Sequence, residues 1–181
     1  HEETQDYGNK IINFSDKNVI KEIIKKRKLF SKKRCWTEEI ARKVFKNSNL
    51  KNANYDGVSI NTKTIKKNNL FFAIRGKNTD GHKFAKEAIE KGAIKSVISK
   101  KINQLSNNKI IKVKSTFSSL NNLAKVTRNN SCAQIIGITG SVGKTTLKNL
   151  ISFALTNYGK VYQSPYSYNN KFGVPLSLSN L

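Results

Sequence analysis

Residues Ile135–Thr146 read Ile-Ile-Gly-Ile-Thr-Gly-Ser-Val-Gly-Lys-Thr-Thr, an apolar run that breaks into glycines and then enters a helical pattern. The glycines at 137, 140 and 143 let backbone N–H groups turn inward and surround phosphate oxygens. Lys144 can reach the terminal phosphates of a nucleotide, and Thr145 can set its hydroxyl on Mg²⁺. A helix beginning at Lys144 points its positive end at the same anion. Ile138 stands where the strict phosphate-loop pattern has its first glycine, so a glycine-rich turn without a ligand is the alternative. The apolar strand before the loop, its Gly-Lys-Thr-Thr core and the stripe Leu147, Leu150, Ile151, Ala154, Leu155 behind it favour the nucleotide. Gly140, Ser141, Val142, Gly143, Lys144, Thr145 and Thr146 are the expected phosphate-binding residues, with Lys144 catalytic and Thr145 the metal ligand.

A loop of this kind needs a strand before it and a helix after it, and the rest of the chain alternates accordingly. Helices are predicted over 16–29 and from Thr37 through Ile40, Ala41, Val44 and Phe45, with a composition boundary near Lys33. Val58–Ile60, Leu70–Ile74, Ser96–Ile98 and Ile110–Val113 read as strands, the second buried on both faces. Phe84–Ile89 reads as a helix stopped by Gly92, and Phe117–Thr127 as another. Gln134–Ile138 is the predicted strand ahead of the loop, a helix follows from Lys144 to about Tyr158, and Lys160–Gln163 starts a further strand. This predicts an α/β chain: a small N-terminal α/β domain, then the start of a parallel-sheet ATPase domain.

Composition narrows the partners. The net charge is +23, yet arginine, the better phosphate fork and base reader, appears only five times. The remaining excess is lysine spread thinly with asparagine and isoleucine, which reads as compositional drift and argues against nucleic acid while still attracting anionic substrates. Cys35, Cys132, His1 and His82 sit in no metal-ligand spacing. No apolar run is long enough to span a membrane. The absence of methionine and the abrupt ends lead us to expect a fragment.

The loop Gly137–Thr146 resembles the ATP loop of the Mur ligase superfamily, which also holds folylpolyglutamate and cyanophycin synthetases. Val58–Lys63, Leu70–Gly76 and Asp80–Phe84 resemble the N-terminal uridine-nucleotide domain of the later Mur ligases. Tyr168–Leu176 is similar to a segment typical of the branch that adds D-alanyl-D-alanine, the MurF ligases. The resemblance covers residues 34–181. Residues 1–30 resemble instead the C-terminal end of the MurE branch, which adds the third peptide residue. There Glu2 would meet the amino group of that residue, and a fused MurE–MurF polypeptide is expected, with an assembly artefact as its rival.

The resemblance implies three domain pieces, 1–33, 34–132 and 133–181. It implies ATP and Mg²⁺ as cofactors and an acyl phosphate formed on a UDP-linked muramoyl tripeptide, which the amine of D-alanyl-D-alanine then attacks. Thr62, Lys63, Asn169 and Asn170 become substrate-binding candidates, the last two against an ordinary Asn-rich turn. Asn61-Thr62-Lys63 departs from the family's Asp-Ser/Thr-Arg, and lysine lacks the planar fork of arginine. His82 is either a turn residue or a ligand contact. The expected enzyme is a cytoplasmic, monomeric ligase without membrane insertion or nucleic-acid partner. The acidic residues and lysine that hold a second metal would lie beyond Leu181, so the fragment alone is expected to be inactive. Another ligase of the superfamily and a basic nucleic-acid-binding module are the competing readings.

Overall fold

The computed structural model describes residues 38–45, 55–76, 78–103, 105–131, 133–165 and 168–181. The chain divides after Lys33 into two units, and every described residue belongs to the second, Arg34–Leu181. The predicted helix over 16–29, Glu2, Cys35 and Cys132 lie outside the described residues.

Helix α1 (Glu38–Phe45) is followed by β1 (Gly57–Ser59) and β2 (Asn69–Phe72). A 3₁₀ turn at Gly81–Phe84 runs into α2 (Ala85–Glu90), then come β3 (Lys95–Ile98) and β4 (Ile110–Lys112). Helices α3 (Thr116–Asn130), α4 (Lys144–Thr156) and α5 (Gly173–Leu178) complete the order. The four strands form one sheet in the order β1-β2-β3-β4, every neighbouring pair parallel. Val58 lies opposite Leu70, Phe71 opposite Ser96, and Val97 opposite Ile111.

A parallel sheet has to be covered on both faces, and the period-2 alternation of β2 shows how. Leu70 and Phe72 join Val97 and Ile111 on one face, beneath Phe45 of α1, Leu120 and Leu123 of α3, and Leu176 of α5. Phe71, Ala73 and Ile98 face the other way, against Ala85 and Ala88 of α2. Two alanines let that helix lie close to the sheet. Leu120 and Leu123 are fully buried, which is worth about 1.5–3 kcal/mol for each side chain. Ser115 opens α3 by accepting the Ser118 N–H at 3.2 Å.

Two predicted strands are not formed. Gln134–Ile138 and Lys160–Gln163 carry strand-like sequence but take no ladder partner, and Ile135 is left 45 % exposed. A strand exists through its neighbours, and among the described residues none pairs with these segments. Helix α4 ends at Thr156, two residues before the predicted limit, while Gly159 follows at φ 151°. The segment 173–178, which the pattern reading left without an element, is α5. No described helix is long and apolar enough to cross a membrane.

Candidate active site

The phosphate loop closes on itself through glycine geometry. Gly143 precedes α4 at φ 79°, a left-handed conformation that a Cβ would strain, and Gly140 turns the chain at φ 147°. The Lys144 ammonium donates to the carbonyls of Gly140 and Ser141, the latter at 3.0 Å. It is thus held over the loop by neutral acceptors that phosphate oxygens would outcompete. Ser141, Val142, Thr145 and Thr146 are exposed around it. A cation clasped over left-handed glycines at the head of a 13-residue helix fits a nucleotide phosphate. Thr145 would supply one hard oxygen to Mg²⁺. No group of three or more His, Cys, Asp or Glu gathers among the described residues.

A second candidate region lies just past the C-terminal end of β1, the kind of place where ligands meet parallel sheets. Ser59 Oγ donates to the Asn61 carbonyl at 2.9 Å and accepts the Asn61 N–H at 3.1 Å. Asn61 Oδ1 accepts the Lys63 N–H at 2.9 Å, which fixes a tight turn and leaves the Lys63 side chain exposed. Thr62 reaches toward α2. The Glu87 carboxyl is held below its ordinary range first by Lys91, at 2.7 Å, and then by a hydrogen bond from Thr62.

His82 is a staple between the ends of β2 and β3. Its Nε2 accepts the Ser99 N–H at 3.0 Å, which leaves the ring proton on Nδ1, 2.6 Å from Asp80 Oδ1. Ser99 Oγ also lies 3.1 Å from Nε2. The connectivity is that of a Ser-His-Asp relay, but the backbone amide occupies the lone pair a general base would need. Burial pushes the Asp80 carboxyl up. Hydrogen bonds from the His82 ring and backbone and from Lys100, at 3.3 Å, outweigh that and hold it at about 2. Of the two sequence readings of His82, the buried turn residue is the one observed.

Asn170 is likewise engaged locally. Its Oδ1 accepts the N–H groups of Phe172 at 3.0 Å and Gly173 at 2.9 Å and so opens α5. Phe172 stacks edge-on against Phe117 of α3, with ring centroids 5.3 Å apart, and Lys171 sits over the Phe172 ring. Asn169 is exposed beside this cap. The structure joins 168–180 to β1 through Asn180, which binds Val58. The hydrogen bonds of Lys144 stay within the phosphate loop, and Lys148 of α4 reaches the Ser164 carbonyl at 2.7 Å. Sequence reasoning missed Ser99, Lys100 and Asn180. The first two directly follow a predicted strand, which is a usable signal; Asn180 has none in its local pattern.

Residues 54–132, which span the sheet, match the family described as Mur ligase family, catalytic domain. The UDP-N-acetylmuramoyl-tripeptide--D-alanyl-D-alanine ligase of Rickettsia prowazekii is 38 % identical over 128 residues, 71 % of this chain and 28 % of that protein. The UDP-N-acetylmuramoyl-L-alanyl-D-glutamate--2,6-diaminopimelate ligase of Rickettsia rickettsii is 36 % identical over 107 residues, 59 % of this chain and 22 % of its own length. The UDP-N-acetylmuramoylalanyl-D-glutamyl-2,6-diaminopimelate--D-alanyl-D-alanyl ligase of Acinetobacter baumannii shares the fold, with a TM-score of 0.63 at 21 % identity over 81 % of this chain and 33 % of that one. The MurF ligase of Thermotoga maritima, solved in complex with ADP, aligns at 32 % identity and a TM-score of 0.50 over 71 % of this chain and 30 % of its own. The chain therefore spans a third or less of the length of these relatives. Matched residues, relatives and sheet topology agree in what they resemble: residues 54–132 match the Mur ligase catalytic domain, and the wider chain is similar to ligases of that family.

Proposed function

We propose that this chain is part of an ATP-dependent, amide-forming ligase that adds D-alanyl-D-alanine to a UDP-linked muramoyl tripeptide in peptidoglycan precursor synthesis. The observation that carries the reading is the loop Gly140–Thr146. There a lysine is clasped over left-handed glycines at the head of a helix, in a chain 38 % identical over 128 residues to the Rickettsia UDP-N-acetylmuramoyl-tripeptide--D-alanyl-D-alanine ligase. Residues 34–132 would form the uridine-nucleotide domain and 133–181 the start of the ATP-binding domain. Cytoplasmic location follows from the substrates, since ATP and a UDP-linked precursor are made there. The enzyme would act as a monomer without nucleic acid.

ATP would supply the phosphoryl group that activates the peptide carboxylate. Lys144 would leave the Gly140 and Ser141 carbonyls and neutralise charge as that group moves, where electrostatic stabilisation is worth most. Thr145 would give one oxygen to Mg²⁺ and Thr146 a supporting hydroxyl. Thr62 and Lys63 would meet the uridine nucleotide beyond β1. Asn169 and Asn170 would approach the substrate from the head of α5. The activated carbonyl would then be attacked by the amine of D-alanyl-D-alanine, releasing phosphate.

The full-length protein, given ATP, Mg²⁺, UDP-linked tripeptide and D-alanyl-D-alanine, is expected to release one phosphate for each amide formed. Amide formation that needs no ATP would overturn the reading. A second reading, the diaminopimelate-adding ligase, is favoured by the 36 % identity to the other Rickettsia enzyme, over a shorter stretch. The amine consumed distinguishes the two.

A further inference from the structure

Among the described residues strand β1 lies at the edge of the sheet, with β2 on one side. The open side of Val58 is taken by a single side chain. Asn180 Oδ1 accepts the Val58 N–H at 2.8 Å, and Asn180 Nδ2 donates to the Val58 carbonyl at 3.0 Å. This is the pair of bonds that a further strand would have made. Nδ2 also donates to the Leu176 carbonyl at 2.8 Å and so ties the same residue into α5. Leu176 is itself buried with Val58 and Leu120. Only a carboxamide offers an acceptor and two donors at this point.

The consequence lies at the two ends of this bridge. Asn180 grips β1 directly before the turn that carries Thr62 and Lys63. It also grips the end of a six-residue helix whose beginning is capped by Asn170. We infer that Asn180 is a positioning residue, setting the distance between the Thr62–Lys63 turn and the Asn169–Asn170 cap so that one UDP-linked substrate meets both. The inference rests on the ligase reading above, in which those four residues contact the substrate. Contacts held ready before binding cost less ordering when the ligand arrives, so the bridge acts on substrate affinity more than on the chemical step.

The test uses the full-length enzyme. Asn180→Asp keeps the acceptor but sets a carboxylate against the Val58 and Leu176 carbonyls. It is expected to raise KM for the UDP-linked tripeptide about tenfold, with kcat and KM for ATP within about twofold. A merely structural asparagine would lower the melting temperature and leave KM where it was. A reversible bridge serves where the single variant folds poorly. A Cβ built on Gly57 would lie 2.9 Å from Asn180 Oδ1, which makes 57 and 180 the pair at which to place it. In the double variant Gly57→Cys, Asn180→Cys the oxidised form should keep KM within about twofold of the unaltered enzyme, and reduction should raise it about tenfold. An unchanged KM in Asn180→Asp, or equal KM in the oxidised and reduced pair, overturns the inference. An unaltered enzyme that makes no amide from the tripeptide overturns the ligase reading instead.

Discussion

Helices α3 and α4 are of similar length, 15 and 13 residues, and each carries an apolar stripe at helical spacing. The first buries Leu120, Leu123, Ala124 and Thr127 against the sheet. The second has no fully buried residue among those described: Ile151 and Leu155 are half-buried, Leu150 is 60 % exposed and Phe153 79 %. An apolar stripe stabilises only what lies opposite another apolar surface, and α3 has the sheet beneath it. The loop at the head of α4 is formed all the same, because left-handed glycines and a lysine returning to carbonyls one turn back are local events. Among the described residues the packed core lies at the sheet, whereas the loop before α4 is held by its own local contacts.

The sharpest test of that separation is Lys144→Ala. It should lower ATP turnover of the full-length enzyme by at least about a hundredfold while leaving the melting temperature unchanged. A drop in melting temperature would tie the loop to the packed region and break the comparison. Leu123→Ala should destabilise by about 2–5 kcal/mol in urea denaturation. Gly173→Ala should cost about 1–3 kcal/mol by the same measurement, because its new Cβ would lie 2.5 Å from Tyr168 Cβ. A neutral result there would mean that the α5 cap is loose.

A smaller effect is expected with pH. The Asp80 carboxyl sits at about 2 in the folded chain against an ordinary 3.8. A lowered carboxyl contributes stability that is complete above its unfolded value and is lost as pH falls through the folded one. Unaltered protein should therefore lose more stability than Asp80→Asn as pH drops from about 4 toward 2, with parallel curves above about 5. Parallel curves throughout would mean that the Asp80–His82 pair contributes nothing. The smallest change expected is for Leu150→Ala, within about 0.5 kcal/mol; a loss equal to that of Leu123→Ala would show α4 to be packed after all.

Much of this was legible in the residues. The unbroken apolar run Leu70–Ile74 located β2 to within two residues, and the apolar spacing of Phe117–Thr127 located α3. The turn Gly137–Thr146 could be read directly, since its left-handed glycines and the return of Lys144 to the Gly140 and Ser141 carbonyls need only neighbours in sequence. Gln134–Ile138 and Lys160–Gln163 show the limit of pattern: their residues suit a strand, but pairing is a property of two segments. Helix α5 shows it from the other side. Gly173-Val174-Pro175 argues against a helix by propensity, yet the burial of Leu176 and the cap from Asn170 favour it.

Sequence alone determined the α/β alternation, the glycine-rich turn at Gly137–Thr146 and the likeness to the Mur ligases, because period, glycine placement and motif are short-range and survive without a partner. Tertiary structure alone decided that His82 is a staple to Ser99, 17 residues away, and that Asn180 completes the edge of β1 across 122 residues. In both cases a polar side chain is satisfied by a backbone group that no local pattern reveals. Which distant amide or carbonyl a side chain meets is settled only when the chain packs.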